Sequence, residues 1–181
     1  MVILLGCNMQ QNKLEVEVFE SSANGNQLKK ITEFHSGSEV IAVQLLPENK
    51  YQTITGFGGS FTEASAYLLN QLSKQNRDLI LNAYFGSEGA RYSLTRTHIN
   101  SCDFSLGNYS YAPIEGDKTL ENFSIEEDRD DIIPMIKDAM AISEDGFKII
   151  SSPWTAPPWM KDNNDWVGGK LLPEYYDSWA L

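Results

Sequence analysis

From Tyr51 onwards, short runs of strand-forming residues alternate with segments that have the hydrophobic periodicity of helices. The predicted strands are residues 52–59, 92–96 and 147–151, and a helical pattern follows each of them along the chain. Strands separated by helices pair in parallel, because each helix returns the chain to the same end of the sheet. The alternation therefore predicts an α/β fold with functional side chains in the loops after the strands.

Serine residues mark the predicted helix starts. The spacing S-x-x-E occurs at Ser60 and Glu63 and again at Ser124 and Glu127, and Ser73 precedes another helical stretch. Side chains at these two positions can satisfy the free N–H groups of a first helical turn. The expected buried faces carry apolar residues three or four positions apart, namely Ala64, Tyr67, Leu68 and Leu72, then Leu79, Ile80, Ala83 and Tyr84, then Ile132, Ile133, Ile136, Ala139 and Met140.

Residues 11–50 have a different pattern, with two candidate strands and no helical segment between them. Residues 14–19 alternate apolar and charged side chains, which is typical of a half-buried strand. Residues 39–46 form a second apolar run that Pro47 ends, and Asn24-Gly25-Asn26 is a turn signal between the two. We therefore predict that residues 11–50 contribute strands to a β side domain.

The number of strand and helix units sets the size of the predicted fold. Residues 51–181 contain two complete units, a third strand and the start of its helix. A closed (β/α)8 barrel needs eight such units and usually about 250 residues. The interpretation is an incomplete TIM barrel, consisting of its first three units, at the amino-terminal end of a larger enzyme.

Charge and cysteine content exclude two classes of function. The 181 residues carry a formal net charge of −11, so a nucleic-acid partner is not expected, because its phosphates would be repelled. The two cysteines, Cys7 and Cys102, lie far apart, and no metal-ligand spacing occurs. Neither a disulfide framework nor a metal site is predicted.

Residues 1–10 form a tail in which the letters LLGC at positions 4–7 resemble the lipobox of bacterial lipoproteins. The lipobox cysteine bears the lipid, so Cys7 is a predicted lipidation site and membrane attachment point. The apolar run is short for an export signal, and no Lys or Arg precedes it. Either the true start lies upstream, or these residues are an ordinary apolar tail with a buried cysteine.

Charged and aromatic side chains follow the second and third predicted strands. Arg96 ends one strand, Asp103 comes seven residues later, and Trp154 follows the next strand. A carboxylate can accept hydrogen bonds from sugar hydroxyls, a guanidinium can hold that carboxylate, and an indole packs on the apolar face of a pyranose. Together they would form a sugar subsite. Two alternatives are a structural ion pair between Arg96 and Asp103, and loop packing by Trp154 and Trp159.

Three further side chains have structural interpretations. Cys102 is interpreted as a small buried hydrophobe rather than a nucleophile. His35 and His98 have no Ser, Cys or metal-ligand partner at a recognisable spacing, so we interpret both as solvated or core histidines.

Five motifs occur in order along the chain, namely GFGGSFTE at 56–63, YF and EG within 84–89, the arginine at 96 with SCDFS at 101–105, ENFS at 121–124 and SPWTAPPWMK at 152–161. Together they resemble glycoside hydrolase family 30, the glucosylceramidase family. The resemblance covers about residues 51–181 and implies a (β/α)8 barrel. It also implies a β-sandwich side domain built from both chain ends, which agrees with the candidate strands before Pro47.

The resemblance implies retaining β-glycosidase chemistry without metal or cofactor. One Glu acts as general acid and base and a second as nucleophile, at the ends of the fourth and seventh strands, with carboxyl groups about 5–5.5 Å apart. The family's acid/base residue lies in an Asn-Glu-Pro motif, which does not occur here. No catalytic residue is therefore assigned within the chain, and both glutamates are expected beyond Leu181.

The same resemblance implies which residues bind substrate. Asp103 matches the aspartate that hydrogen-bonds sugar hydroxyls at the non-reducing end, and Trp154 matches a tryptophan of that pocket. Arg96 matches an arginine beneath it, and Phe104 matches a neighbouring wall. His98 stands where the animal glucosylceramidases have proline, which leaves the fine substrate choice open.

The function hypothesis is a glucosylceramidase-like β-glycosidase whose partner is a β-glucoside, either a glycolipid or a glucan. Within the enzyme class the alternative is a β-1,6-glucanase of the same family. Outside it, the alternative is a non-catalytic sugar-binding remnant. The expected location is secreted, periplasmic or cell-envelope, with a lipid anchor at Cys7.

Overall fold

The computed structural model describes residues 16–34, 37 and 41–181. The chain forms two compact units, Met1–Tyr51 and Gln52–Leu181. The larger unit combines a parallel sheet with α-helices, which confirms the predicted α/β class.

Three parallel strands form the sheet of the larger unit. They are β3 (Ser60–Phe61), β4 (Leu94–Ile99) and β5 (Lys148–Pro153), and they pair in that order with β4 in the centre. Arg96 on β4 lies opposite Ser60 on one side and Ile150 on the other. Because the strands are parallel, the loops that follow them leave from one edge of the sheet.

The backbone just before β3 approaches β4 without forming a regular ladder. The carbonyl of Phe57 accepts from the N–H groups of Ser93, at 2.9 Å, and Leu94, at 3.2 Å. A Cβ at Gly58 would lie 1.8 Å from the carbonyl oxygen of Leu94, so only glycine fits there. The strand predicted over residues 52–59 is therefore wrong, because this contact replaces regular pairing and the strand begins only at Ser60.

Four α-helices follow the strands. Their bounds are α1 Glu63–Asn70, α2 Lys74–Phe85, α3 Ile132–Ile142 and α4 Tyr176–Ala180, with short 3-10 helices at Glu126–Asp128, Pro158–Met160 and Pro173–Tyr175. No helix in the described part of the chain is long and apolar enough to cross a bilayer.

One of the three predicted helix starts is confirmed. Ser73 caps α2, and its hydroxyl accepts the N–H of Asn76 at 3.3 Å. The other two are wrong: Thr62 caps α1 because Ser60 is already paired in β3. At α3 the cap is Asp131, because the residues after Ser124 form a 3-10 turn instead.

The core lies between the sheet and the helices, where α3 packs against α1, α2 and β3. The rings of Phe61 and Phe85 stack there with centroids 5.6 Å apart. The buried residues are Phe61, Ala66, Leu81, Phe85, Ile132, Met135 and Ala139.

The predicted buried faces of α1 and α2 are wrong in large part. Leu68 is 64% exposed and Leu79 is 71% exposed, while Ala66 and Leu81 are buried. On α3 the prediction holds for Ile132 and Ala139 and fails for Met140, which is 61% exposed. Apolar spacing identifies an apolar face, but the neighbouring helix decides which part of it is covered.

In the smaller unit, β1 (Val18–Glu20) and β2 (Lys29–Ile31) form an antiparallel hairpin. Gly25 in the connecting turn has φ +104°, a conformation that favours glycine, as the turn signal predicts. The strand predicted over residues 14–19 overlaps β1, and its residues 14 and 15 lie outside the described residues. The sequence pattern does not predict β2, because two of its three residues are lysines.

The second strand predicted in this region is not found. Residues 41–46 have no strand structure, and Ile41, Val43 and Leu45 are exposed, whereas residues 39 and 40 lie outside the described residues. Alternating apolar side chains favour a strand only when a partner supplies backbone hydrogen bonds. Within the part of the chain that the structure describes, residues 41–46 pair with no such partner.

Candidate functional site

The loops after β4 and β5 enclose a cavity of about 140 Å³ at the carboxyl edge of the sheet. Three of the four residues predicted to bind substrate line it, namely Arg96, Phe104 and Trp154. The other lining residues are Ser60, Phe61, Thr62, Thr97, His98 and Cys102. The cavity therefore brings together side chains that are up to 94 positions apart in the sequence, between Ser60 and Trp154.

Arg96 is held by residues of the neighbouring strand β5 and the loop after it. Its guanidinium carbon lies 4.6 Å from the centroid of the Trp154 ring, and its Nε donates to the Ser152 hydroxyl at 3.1 Å. A planar guanidinium can stack on an indole and still donate hydrogen bonds from its edge. Trp154 remains 43% exposed, so much of the indole is accessible.

Asp103 and Phe104 occupy the tip of a tight turn after β4. The turn is closed by the N–H of Ser105, which donates to the carbonyl of Cys102 at 3.0 Å, and by the Ser105 hydroxyl, which accepts the N–H of Cys102 at 3.0 Å. Both tip side chains are exposed. The turn thus presents a carboxylate and an aromatic ring to solvent.

The start of α1 fastens this turn in place. The N–H of Ala64 donates to the carbonyl of Phe104 at 3.0 Å, and the carboxylate of Glu63 accepts the N–H of Leu106 at 2.8 Å. Glu63 therefore has a structural role in orienting the loop, and its carboxylate is engaged by the backbone.

Asp103 is not among the described residues that line the cavity. The alternative of a structural ion pair is also not observed, because none of the ion pairs among the described residues joins Arg96 to Asp103. The structure therefore places Asp103 beside the cavity, next to Phe104, and not in contact with the guanidinium as a salt-bridge partner.

Trp159 differs from Trp154 in its surroundings. Its Nε1 donates to the carbonyl of Ala112 at 3.0 Å, and its ring meets that of Tyr175 edge-on with centroids 5.0 Å apart. The loop-packing interpretation is confirmed for Trp159. For Trp154 the cavity position favours the other interpretation, in which the indole contributes to a binding surface.

His98 is buried, as the core interpretation predicts, with 4% of its surface exposed. Its Nδ1 lies 2.6 Å from the carbonyl oxygen of Asn100, so this nitrogen is the donor. Its Nε2 is buried and has no hydrogen-bond partner among the described residues. The predictions for His35 and Cys7 concern positions outside the described residues.

Cys102 is partly buried within the turn. Its Sγ accepts the N–H of Phe104 at 3.3 Å, so the thiol takes part in the hydrogen bonding of the turn. This contact gives the side chain a local structural role, although it is less buried than the sequence interpretation proposed.

A buried carboxylate holds the long segment between β4 and α3. Asp128 accepts the phenol of Tyr109 at 2.9 Å, and its other oxygen accepts the phenol of Tyr111. Burial raises the pKa of both phenols, and the hydrogen bonds to Asp128 raise each pKa further, so both remain donors. Sequence patterns did not identify this network, because Asp128 lies 19 and 17 positions from its two partners, beyond the spacing of the local motifs.

Lys161 is a second buried group that the sequence patterns missed. It is 7% exposed, and its Nζ donates to the carbonyls of Trp166, at 2.9 Å, and Gly168, at 3.1 Å, and to the Thr155 hydroxyl at 3.3 Å. Three oxygens therefore surround the ammonium. The contacts fold the segment after Trp154 into a closed loop.

The side chains that line the cavity are suited to binding a sugar. An indole, a phenyl ring and a guanidinium suit the apolar face and hydroxyl groups of a sugar. None of the described residues that line the cavity is an Asp or a Glu. Within the described residues, no group of three or more His, Cys, Asp or Glu side chains is arranged to hold a metal ion.

Comparison with known proteins identifies relatives of this chain. The sequence model of the glycosyl hydrolase family 30 TIM-barrel domain matches residues 54–180. Lysosomal acid glucosylceramidase of Mus musculus is 40% identical over 131 residues, which cover 72% of this chain and 25% of the mouse protein. The match confirms the resemblance seen in the sequence motifs.

Two solved structures are similar in fold. The crystal structure of SrfJ from Salmonella typhimurium has a TM-score of 0.76 and 36% identity, over 91% of this chain and 38% of that one. The structure of the endo-β1,6-glucanase BT3312 has a TM-score of 0.70 and 32% identity, over 86% of this chain and 35% of that one. By comparison, this chain spans 25% of the length of the mouse glucosylceramidase. Because the family model matches well over half of the sequence, including both loops at the cavity, the chain belongs to glycosyl hydrolase family 30.

Proposed function

We propose that this chain is part of a retaining β-glycosidase, most similar to glucosylceramidase, that hydrolyses a β-glucosyl bond. The observation that carries the proposal is the cavity at the carboxyl edge of the sheet, where the indole of Trp154 lies beside Phe104 and under the guanidinium of Arg96. An aromatic face with hydrogen-bonding groups beside it suits a pyranose ring. Family membership and the similarity to the mouse glucosylceramidase support the same function.

We propose that the sheet is the first part of a (β/α)8 barrel and that residues 11–50 contribute strands to a β-sandwich side domain. The order β3, β4, β5, parallel and without reversal, supports the first part, because consecutive barrel strands are neighbours. The hairpin of β1 and β2 supports the second part.

Each of the four predicted residues in or beside the cavity has a proposed role. The Asp103 carboxylate accepts hydrogen bonds from sugar hydroxyls at the non-reducing end, and Trp154 packs on the apolar face of the ring. Phe104 forms a second wall, and Arg96 orients the indole by stacking on it. These roles account for recognition of the glycone and leave bond cleavage to other residues.

We propose that the catalytic pair is supplied beyond Leu181, from the fourth and seventh strands of the barrel. One carboxylic acid donates its proton to the leaving oxygen while the other carboxylate attacks the anomeric carbon, which forms a covalent glycosyl intermediate. The first group then takes a proton from water, and the water oxygen displaces the enzyme carboxylate. The absence of an Asn-Glu-Pro motif from the sequence supports this assignment.

A second candidate function is β-1,6-glucan hydrolysis. The similarity in fold and sequence to the endo-β1,6-glucanase BT3312 favours it. A pocket whose contacts are to one glucosyl unit serves either substrate, because it does not contact the group on the other side of the cleaved bond. The remaining candidate, a non-catalytic sugar-binding remnant, requires that no catalytic pair follows Leu181.

The test begins with the coding sequence past Leu181, where an Asn-Glu-Pro motif and a second strand-end glutamate are expected. The full-length product is then assayed on an aryl β-glucoside, glucosylceramide and a β-1,6-glucan, and NMR of the released sugar reports retention of configuration. The isolated 181-residue chain should be inactive. Turnover by that chain alone would refute the assignment of the catalytic pair to residues beyond Leu181. If neither an Asn-Glu-Pro motif nor a second strand-end glutamate follows Leu181, the non-catalytic sugar-binding remnant is the remaining candidate.

We also propose export to the cell envelope with a lipid on Cys7, supported by the LLGC letters at positions 4–7. Mass spectrometry of the amino-terminal peptide from the membrane fraction should detect a lipidated cysteine. The Cys7→Ser variant should leave that fraction. An unmodified Cys7 in the native protein would contradict the proposal.

A further inference from the structure

Asn100 lies between the two loops that border the cavity. It is the first residue after β4, it is 3% exposed, and its φ of +64° is one that Asn tolerates better than most residues. It does not line the cavity itself, because no residue between His98 and Cys102 is among the described lining residues. Its position therefore indicates that Asn100 affects the cavity through the neighbouring residues that it contacts.

The side chain of Asn100 uses both ends of its amide. Nδ2 donates to the carbonyl of Thr155 at 3.0 Å. Oδ1 accepts the N–H of Tyr111 at 2.8 Å and the hydroxyl of Ser110 at 3.3 Å. One amide thus joins three backbone segments, and its hydrogen-bonding capacity is nearly filled.

These contacts tie together the residues that are proposed to bind sugar. Thr155 directly follows Trp154, and Asn100 precedes Asp103 by three positions. The N–H of Trp154 donates to the carbonyl of Ile99 at 3.2 Å, which is the last backbone link between β4 and the chain leaving β5. The bond from Asn100 to Thr155 continues this link by one step into the loops.

A second contact holds the backbone of Asn100 itself. The Nδ1 of His98 donates to the carbonyl oxygen of Asn100 at 2.6 Å. This bond spans the residue with positive φ and fixes the direction in which the chain leaves β4. The buried histidine ring therefore helps to hold the backbone from which the amide projects.

We propose that Asn100 is a positioning residue that sets the separation of Trp154 from the Asp103–Phe104 turn, and thereby the fit of the terminal glucosyl unit. The inference rests on the proposed function of the cavity. An amide is required because the bridge needs a donor towards Thr155 and an acceptor towards Tyr111 in one short side chain. A shift of about 1 Å in a binding group can cost about a hundredfold in rate.

The experiment is a double-mutant cycle in the full-length protein with Asn100→Asp and Trp154→Ala. Asn100→Asp keeps an acceptor for Tyr111 but sets a carboxylate oxygen against the carbonyl of Thr155. The matched control is Asn82→Asp on α2, which removes a bond of the same kind, from Nδ2 to the carbonyl of Asp78 at 2.8 Å, away from the cavity. Steady-state kinetics on an aryl β-glucoside give kcat and KM for each variant.

We expect Asn100→Asp to lower kcat/KM by about tenfold or more, with Asn82→Asp within about twofold of the parent. In the Trp154→Ala background, Asn100→Asp should cost less than about twofold further, because the residue that it positions is gone. If the losses of kcat/KM in the two single variants multiply in the double variant, the proposal is wrong. It is also wrong if Asn100→Asp keeps the kcat/KM of the parent. Thermal unfolding of each variant separates these effects from loss of stability.

If Asn100→Asp does not fold, Asn100→Gly replaces it, since glycine accepts the positive φ but lacks the amide. Failure of both to fold would make Asn100 a folding residue and overturn the proposal. If the parent itself hydrolyses no β-glucoside, the proposed function fails separately. Crystal structures of the parent and Asn100→Asp then decide the inference, because it requires a changed distance between Trp154 and Phe104.

Discussion

The guanidinium of Arg96 lies over the indole of Trp154, with its central carbon 4.6 Å from the ring centroid. The two residues belong to adjacent parallel strands or their ends, and Nε of Arg96 also donates to Ser152 on β5. The stack therefore holds the indole of Trp154, the first residue after β5, against the sheet. A sugar subsite needs such an oriented ring, because a freely rotating indole must first lose entropy on binding.

Arg96→Lys keeps the charge and should still impair the proposed enzyme. An ammonium cannot both stack as a plane and donate sideways to Ser152, so the indole loses its support. We expect kcat/KM on an aryl β-glucoside to fall by about tenfold, which corresponds to about 1.4 kcal/mol. The control is Arg91→Lys, whose exposed ion pair with Asp145 lies before the strands. If Arg96→Lys and Arg91→Lys have the same kcat/KM, the stack of Arg96 on Trp154 does not contribute to substrate binding.

Asp103→Ala should lower kcat/KM more than Arg96→Lys does. We expect a loss of about a hundredfold, which corresponds to about 3 kcal/mol. Removing the carboxylate leaves sugar hydroxyls without a charged acceptor in the bound state. Asp145→Ala, an exposed aspartate at the opposite edge of the sheet, serves as the matched control. If Asp103→Ala retains the parental kcat/KM, Asp103 does not contact the sugar.

The two buried phenols predict a loss of stability at alkaline pH. The fold raises the pKa of Tyr109 and Tyr111, whereas an unfolded tyrosine ionises near pH 10. The folded state keeps protons that the unfolded state releases, so this stabilisation is present below about pH 10 and is lost as the pH rises further.

The measurement is urea unfolding of the full-length protein between pH 8 and 11, expressed as the free energy of unfolding. Above about pH 10, Tyr109→Phe should reduce the downward slope by up to about 1.4 kcal/mol per pH unit. Tyr51→Phe, at an exposed position, should leave the slope unchanged. The same slope in Tyr109→Phe and the parent would contradict the buried network.

Lys161→Met should destabilise the protein although it removes a buried charge. The methionine leaves the carbonyls of Trp166 and Gly168 without their donor, and each unpaired buried acceptor costs about 1–3 kcal/mol. We expect the free energy of unfolding in urea to fall by about 2–4 kcal/mol. Lys137→Met, at an exposed position on α3, is the control and should change it by less than about 0.5 kcal/mol. Equal stability of the two variants would show that the ammonium is dispensable.

Local signals in the sequence predicted some elements well and others poorly. Ser73 was recognisable as a cap because its hydroxyl interacts only three residues ahead, with Asn76. Ser60 has the same signature, yet its pairing opposite Arg96 places it in a strand and moves the cap to Thr62. Similarly, the exposed Leu79 and buried Leu81 are equally apolar, and only the packing of α3 distinguishes them.

The sequence by itself determined the α/β class, the family and three residues of the cavity, Arg96, Phe104 and Trp154. Hydrophobic periodicity, turn residues and motifs depend only on the spacing and order of residues along the chain, so they can be recognised in the sequence itself. The tertiary structure alone decided that Arg96 contacts Trp154 rather than Asp103, and that Asn100 joins the two loops. These contacts connect residues that are 58 and 55 positions apart, and which partners meet depends on how the strands pair.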